Sequence, residues 1–254
     1  MTDNKGISEN SRRIARNTVL LYFRMFLLMI VGLFTSRVIL RALGSSELGI
    51  YSAIAGVVTM FSILTGSMSA AISRFITFEM GRQESDLKKV FSTAVAIQLI
   101  LAAIIVILAE PAGLWYISNK MVLPPERIFA AKWVLQFTIV SFVIQLLSVP
   151  YNADIIAHER MDAFAWISIF EAVGKLAVAF AIMVSPIDRL IFYAALLALV
   201  SLLTRLAYAV FCKRHFEETR SSIAMDEPLT EPRGDQQRQN QRQQSTERDI
   251  APHM

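Results

Sequence analysis

The sequence is poor in the residues that hold small scaffolds together and bind metals. Its 254 residues include one cysteine, Cys212, and three histidines that lie far apart, His158, His215 and His253. One cysteine cannot form a disulfide within the chain, and these histidines have no zinc-binding spacing. Charged residues make up only 18% of the chain, against roughly a quarter in an ordinary soluble domain. The composition therefore argues against a disulfide scaffold, a zinc site and a soluble protein.

Motifs for catalysis and for nucleotide binding are also missing. The sequence has no glycine-rich phosphate loop, no paired-aspartate metal motif and no Ser-His-Asp or Cys-His set. The net charge is +4, but the basic residues are scattered over short segments and do not gather on one face. We therefore expect no enzyme, no cofactor, no metal and no nucleic-acid partner. Asp154, His158 and Glu159 form the only crowded polar set, and they leave a membrane glycosyl or acyl transferase as a remote alternative.

Apolar residues, by contrast, are abundant and gathered into runs. They account for 54% of the chain, in stretches of about 20 residues, which is the length that a helix needs to cross a bilayer. The sequence predicts an all-α, polytopic transmembrane helical bundle. The predicted spans are residues 17–41, 48–73, 90–110, 131–150, 163–184 and 189–211.

The segments that flank the bundle differ from it in composition. Residues 1–16 are polar and basic, and the first span is longer than a cleavable signal core, so it should remain in the membrane. With the N-terminus inside, most lysines and arginines of the short loops fall on the cytoplasmic side, as does the C-terminus. The membrane lobe then covers 17–220. Residues 221–254 have no aromatic side chain and many Gln and Arg residues, which predicts a disordered tail, either an interaction segment or a non-native end.

Charged side chains inside the spans are the first candidates for function. Each costs about 2.5 to 3.5 kcal/mol on insertion scales and needs water or a partner. Arg24 has two interpretations of similar weight, a phosphate contact in a central cavity or a side chain that reaches the headgroups. Arg37 lies near the end of its span, where reaching the headgroups is favoured, and it is roughly 140° around the helix from Arg24. Arg205 is the candidate in span six.

Glu171 and Lys175 in span five are spaced i, i+4 with the acid first. This order favours an ion pair within the helix, which is the leading interpretation. A pair that faces a cavity would also suit ion coupling or binding of sugar hydroxyls.

Span two carries small and hydroxylated residues on one face. Close helix packing is the simpler explanation, above all for Gly56 and Gly66, and lining of a polar cavity is the competing one. The members of this face are Ser52, Gly56, Thr59, Ser62, Gly66, Ser69 and Ser73.

Several stretches give the chain a family resemblance. They are residues 16–25, 36–44, 48–51, 73–75 and, most specifically, 149–161, with the sequence VPYNADIIAHERM. The chain resembles bacterial polysaccharide transporters, the O-antigen flippase-like branch of the multidrug/oligosaccharidyl-lipid/polysaccharide exporter superfamily, and within it lipopolysaccharide biosynthesis proteins of Bacteroides-like bacteria. The resemblance covers about residues 12–220.

The resemblance implies a transporter of 12 to 14 spans in two lobes that carries an undecaprenyl-pyrophosphate-linked oligosaccharide across the bacterial inner membrane. Six predicted spans correspond to one lobe, apparently the N-terminal half, so a second lobe or a second copy is an expected partner besides the lipid bilayer. Arg24, Arg37 and Arg74 match basic positions that would bind the phosphates. The alternatives are a drug or cation exporter of the same superfamily, which would need acidic residues in the spans, and an inactive fragment.

Overall fold

The computed structural model describes residues 3–82, 86–184, 188–216 and 219, without the side chains of 3–14, 16, 17 and 64. Over these residues the chain is helical and contains no strand, which confirms the all-α prediction. The described residues belong to one compact unit, Met1–Arg220. The predicted tail, 221–254, lies outside them and stays a prediction. The six helices are α1 (Asp3–Thr59), α2 (Ser62–Met80), α3 (Leu87–Asn119), α4 (Pro125–Ala157), α5 (Met161–Val184) and α6 (Arg189–His215).

Five helical stretches are long and apolar enough to cross a membrane, so the chain is a multi-pass membrane protein. The first of them, Thr18–Thr59, is 42 residues long and contains the first predicted span and the start of the second. Its two parts meet at Gly44, whose backbone is not helical (φ 80°, ψ 170°). Glycine adopts this positive φ without the steric penalty of a Cβ atom.

The second predicted span, 48–73, is wrong in one respect, because it is not a single helix. The helix breaks at Met60 and Phe61, where the amide of Phe61 bonds to the carbonyl of Val58 at 3.1 Å. The hydroxyl of Thr59 bonds to the carbonyl of Gly56 at 3.0 Å and so competes with the regular backbone pattern. The remainder of the predicted span belongs to α2.

Predicted spans three and four are too short. Helices α3 and α4 are each 33 residues long, and both continue through a proline, Pro111 in α3 and Pro150 in α4. Proline interrupts most soluble helices, but in a membrane bundle the neighbouring helices satisfy the freed carbonyl groups. The prolines therefore do not end the helices, which extend beyond the predicted boundaries at 110 and 150.

Polar contacts hold three chain segments together at one end of the bundle, which we call the Gly44 end. The guanidinium of Arg189 donates to the carbonyl of Ala42 at 3.1 Å. Arg127 forms ion pairs with Glu47 at 2.6 Å and with Asp188 at 2.8 Å. Ala42 and Glu47 stand on either side of Gly44. The turn at Gly44 therefore lies beside the starts of α4 and α6.

Helix α4 is the centre of the bundle and contacts all five other helices. Its residues Val134, Leu135 and Leu146 are completely buried. Close approach to α3 depends on Gly113, since a Cβ atom there would lie 2.5 Å from Cδ1 of Leu135. Residues 18–34 of α1 are the opposite case, because none of their described side chains is buried.

Candidate substrate cavities

Three polar cavities lie between the helices, and each predicted site residue can be placed relative to them. The first, the Arg24 cavity, has a volume of about 340 Å³ and lies between α1 and α5. Its polar lining comes from both helices and consists of Arg24, Thr35, Ser36, Ser168, Glu171 and Lys175.

Arg24 is half-buried in this cavity and has a defined position. Its guanidinium carbon lies 4.1 Å from the centre of the Phe164 ring, a cation–π distance. Its Nε atom is buried and has no hydrogen-bond acceptor among the described residues. The carboxylate of Glu171 is near enough to attract the guanidinium. Arg24 thus presents a donor that an anionic ligand can satisfy.

Glu171 and Lys175 form the ion pair that their spacing predicts. Nζ of Lys175 lies 2.6 Å from Oε1 of Glu171. The pair is not buried in the core, because the side chain of Lys175 is 45% exposed and that of Glu171 is 31% exposed. Both residues also line the Arg24 cavity. The two interpretations of the pair, structural pairing and exposure to a cavity, therefore hold together.

The second cavity, the Arg74 cavity, is the largest at about 690 Å³ and lies against α2, α4 and α5. Arg74 is the one charged residue of its lining. It is exposed and has no ion pair among the described residues. Hydroxyl and amide groups supply the other polar atoms, namely those of Thr65, Ser69, Ser73, Gln145 and Asn152.

The third cavity, the Thr204 cavity, has a volume of about 140 Å³ and lies between α4, α5 and α6. It shares Gln145 and Asn152 with the Arg74 cavity, and it shares Glu171 with the Arg24 cavity. Buried polar atoms without a partner lie here, Oδ1 of Asn152 and Oγ1 of Thr204. The three cavities therefore form one polar tract through the apolar bundle.

The tract lies away from the Gly44 end. Arg24 precedes Ala42 by eighteen residues, and Thr204 follows Asp188 by sixteen. At about 1.5 Å per residue, both are roughly 25 Å along their helices from that end. Phe164, near the start of α5, lines the tract as well. Arg24 and Thr204 thus lie in the half of the bundle opposite the Gly44 end.

Two of the sequence-derived candidates lie outside the tract. Arg37 is exposed and lines none of the three cavities. Arg205 donates to the carbonyl of Leu147 and lies over the ring of Tyr151, at 4.9 Å from its centre. These contacts tie α6 to α4 and give Arg205 a structural role.

The face of small residues in span two has the less favoured of its two explanations. A Cβ atom on Gly56 or Gly66 would meet nothing within 4 Å, so the prediction that these glycines pack closely against another helix is wrong. Gly66, Ser69 and Ser73 line the Arg74 cavity instead. Gly66 thus leaves space at the Arg74 cavity, whereas Gly56 is exposed and lines none of the three cavities.

Neutral polar residues on α4 and α6 are the part of the tract that the sequence did not predict. Gln145, Ser148 and Asn152 follow an i, i+3, i+7 pattern, so they share one face of α4. Ser201, Thr204 and Tyr208 repeat the pattern on α6. This periodicity was a usable signal, but it is weaker than a charge because single hydroxyls are common in membrane helices.

Asp154, His158 and Glu159 are not part of the tract. The carboxylate of Asp154 is completely buried, and Nδ1 of His158 lies 3.3 Å from its Oδ1. The imidazole stacks on Phe216 with ring centres 4.1 Å apart. The pair thus links the end of α4 to the residue that follows α6.

The comparisons with known proteins agree with the family resemblance. No curated protein and no solved structure matches the chain significantly. The model of one family, described as polysaccharide biosynthesis protein, matches residues 14–229, which include all six helices from the first candidate span onward. A match over most of the chain identifies the family, and this multi-pass membrane protein belongs to the polysaccharide biosynthesis protein family.

Proposed function

We propose that the chain is one lobe of a transporter that flips lipid-linked oligosaccharide across the bacterial inner membrane for the synthesis of lipopolysaccharide, O-antigen or capsule. The lobe binds the pyrophosphate of the lipid carrier and is not an enzyme. The observation that carries this proposal is the state of Arg24, which lines a cavity of about 340 Å³ in the membrane part of the chain and whose buried Nε atom has no acceptor among the described residues.

Guanidinium groups suit this role because they bind phosphate oxygens with two donors at once and stay charged in a partly dry site. The Arg74 cavity adds a second cation beside five hydroxyl or amide side chains. Sugar hydroxyl groups form hydrogen bonds with such side chains, and a volume of about 690 Å³ has room for a small saccharide. Phosphate and sugar thus have neighbouring places in one polar tract.

The rival functions have weaker support in the same residues. A drug or cation exporter needs an available carboxylate, but Glu171 is paired with Lys175 and near Arg24, so the charges of the Arg24 cavity sum to +1. A glycosyl or acyl transferase would use Asp154 and His158, which line none of the three cavities. The polar tract itself argues against an inactive fragment, because unused polar groups in a membrane bundle are costly.

The proposal also assigns an orientation. The N-terminus faces the cytoplasm, as the distribution of lysine and arginine favours, so the cavities lie in the cytoplasmic half, where lipid-linked sugars are assembled. The Gly44 end then faces the opposite side. A second lobe or a second copy of the chain would cover the open side of the tract.

The test is binding of a polyprenyl-pyrophosphate disaccharide to the purified chain in nanodiscs. Arg24→Gln should weaken binding about tenfold or more, because it removes a charge-assisted donor pair, and Arg74→Gln should weaken it as well. Arg37→Gln is the matched control, since Arg37 is in the same helix but lines none of the cavities. Equal effects of Arg24→Gln and Arg37→Gln would contradict the proposed site.

A further inference from the structure

Glu171 occupies an unusual position, because it lines two cavities at once. In the Arg24 cavity its Oε1 atom accepts a hydrogen bond from Nζ of Lys175 at 2.6 Å. It also lines the Thr204 cavity, which lies between α4, α5 and α6. One carboxylate therefore borders both the cationic part of the tract and its neutral, hydroxyl-rich part.

In the Arg24 cavity, Glu171 neutralises the groups that a phosphate would need. Lys175 is bound to it directly, and Arg24 is attracted to it. A phosphate ligand and the Glu171 carboxylate have the same charge and the same kind of acceptor oxygen, so they compete for the same two cations. Both cannot be bound to Lys175 and Arg24 without repulsion between them.

The Thr204 cavity contains hydroxyl groups that can bind the displaced Glu171 carboxylate. Oγ1 of Thr204 is buried and has no partner among the described residues, and the residue is only 6% exposed. Ser201 and Tyr208 supply further hydroxyl groups from the same face of α6. A buried hydroxyl without a partner costs free energy, and it gains a hydrogen bond when an acceptor reaches it.

We infer that Glu171 is a built-in counter-anion, which the pyrophosphate of the substrate displaces from Lys175, in the cavity that both share with Arg24, toward the hydroxyl groups of the Thr204 cavity. This inference rests on the proposed function and adds a residue that sets specificity. A ligand must carry enough negative charge to replace a carboxylate at two cations. Neutral lipids and neutral sugars do not displace Glu171, and its ion pair with Lys175 stays intact in their presence.

The inference has a distinctive consequence for mutation. Removal of a residue that contacts the ligand weakens binding, whereas removal of a group that competes with the ligand strengthens binding. Glu171→Gln should therefore tighten the binding of inorganic pyrophosphate about tenfold. Thr204→Val should weaken it about threefold, because the displaced carboxylate loses a donor. That loss should disappear when Glu171→Gln is already present, since no carboxylate then needs the donor.

The experiment measures the affinity of the purified full chain for inorganic pyrophosphate by calorimetry, with the wild type, the two single variants and the double variant. Glu110→Gln is the control for loss of a membrane carboxylate, because Glu110 accepts a hydrogen bond from Gln136 at 3.1 Å and lines none of the three cavities. Arg24→Gln, which should abolish binding, tests the proposed phosphate site separately.

Each outcome decides between the two proposals. Tighter binding by Glu171→Gln, with no change for Glu110→Gln, supports the counter-anion. Equal or weaker binding by Glu171→Gln overturns it, and the proposed function still stands if Arg24→Gln abolishes binding. A threefold loss from Thr204→Val that persists in the double variant also overturns it. If Glu171→Gln does not fold, Thr204→Val alone decides, and unchanged affinity then counts against the inference. Failure of every variant and of the wild type to bind overturns both proposals.

Discussion

The guanidinium carbon of Arg24 lies 4.1 Å from the centre of the Phe164 ring, and the same ring lines the Arg74 cavity. One aromatic side chain therefore separates the two cationic cavities and fixes the position of the cation in one of them. A cation–π contact at a partly exposed site contributes about 0.5 to 1 kcal/mol. It also spares the arginine some loss of side-chain freedom when a ligand binds.

Replacement of Phe164 should affect ligand binding more than folding. In Phe164→Leu the apolar volume is largely kept, but Arg24 loses its stacking surface, so affinity for inorganic pyrophosphate should fall about two- to fivefold. Phe170→Leu is a suitable control, since Phe170 is an exposed aromatic residue on the same helix. Calorimetric titration of both variants with inorganic pyrophosphate checks this prediction. Equal affinities of Phe164→Leu and Phe170→Leu would contradict the role given to Phe164.

Gly44 should tolerate no side chain without a loss of stability. Its φ of 80° and ψ of 170° lie in a region that is adopted almost only by glycine, where another residue costs about 1 to 3 kcal/mol. Gly44→Ala should therefore lower the thermal unfolding midpoint in detergent. In Gly32→Ala the new Cβ also meets nothing within 4 Å, but the backbone is helical, so the midpoint should stay the same or rise.

The ion pairs of Arg127 should contribute modestly and in a salt-dependent way. Arg127→Gln removes the contacts with Glu47 and Asp188, and because the guanidinium is 37% exposed we expect a loss of about 1 kcal/mol or less. The loss should shrink in 1 M salt, where charges are screened within about 3 Å. Thermal unfolding at low salt and in 1 M salt measures this loss of stability. Arg41→Gln, an exposed arginine near the same turn without an ion pair among the described residues, should show neither effect.

Glu79, beyond the second predicted span, should make the stability of its helix end depend on pH. The amide of Asp86 donates to its carboxylate at 3.2 Å, and this bond, with Arg82, lowers the pKa of Glu79 below its usual value. A lowered pKa in the folded state means that the stabilisation is present above the ordinary pKa of a carboxyl group and is lost as the pH falls through the folded value. Hydrogen exchange at the Asp86 amide, followed as the pH is lowered, should reveal this loss, whereas Glu79→Gln should abolish the pH dependence.

Local patterns were the part of this fold that could be predicted from the sequence. The order of the helices follows from apolar runs, and the pair of Glu171 and Lys175 follows from i, i+4 spacing within one helix. Predictions of helix length failed, since α3 and α4 extend beyond the predicted spans 90–110 and 131–150 and continue through Pro111 and Pro150. A membrane bundle permits this because neighbouring groups can satisfy the backbone atoms that proline leaves unpaired.

The cavities depend even more on contacts that are distant in the sequence. Arg24 and Arg74 line cavities, but Arg37, with the same chemistry, does not. The direction in which each arginine points depends on which face of α1 or α2 packs on the bundle. No sequence pattern singles out Thr204 by itself. The structure singles it out because Glu171 of α5 lines the same cavity.

The length of α3 and α4 determines how the bundle sits in its membrane. A helix of 33 residues is about 50 Å long, whereas the hydrocarbon layer is roughly 30 Å thick. To hide both helices completely, the bundle would have to tilt them by more than 50°, beyond the range of 0 to 40° for membrane helices. Their ends therefore project into the headgroups and the water on at least one side.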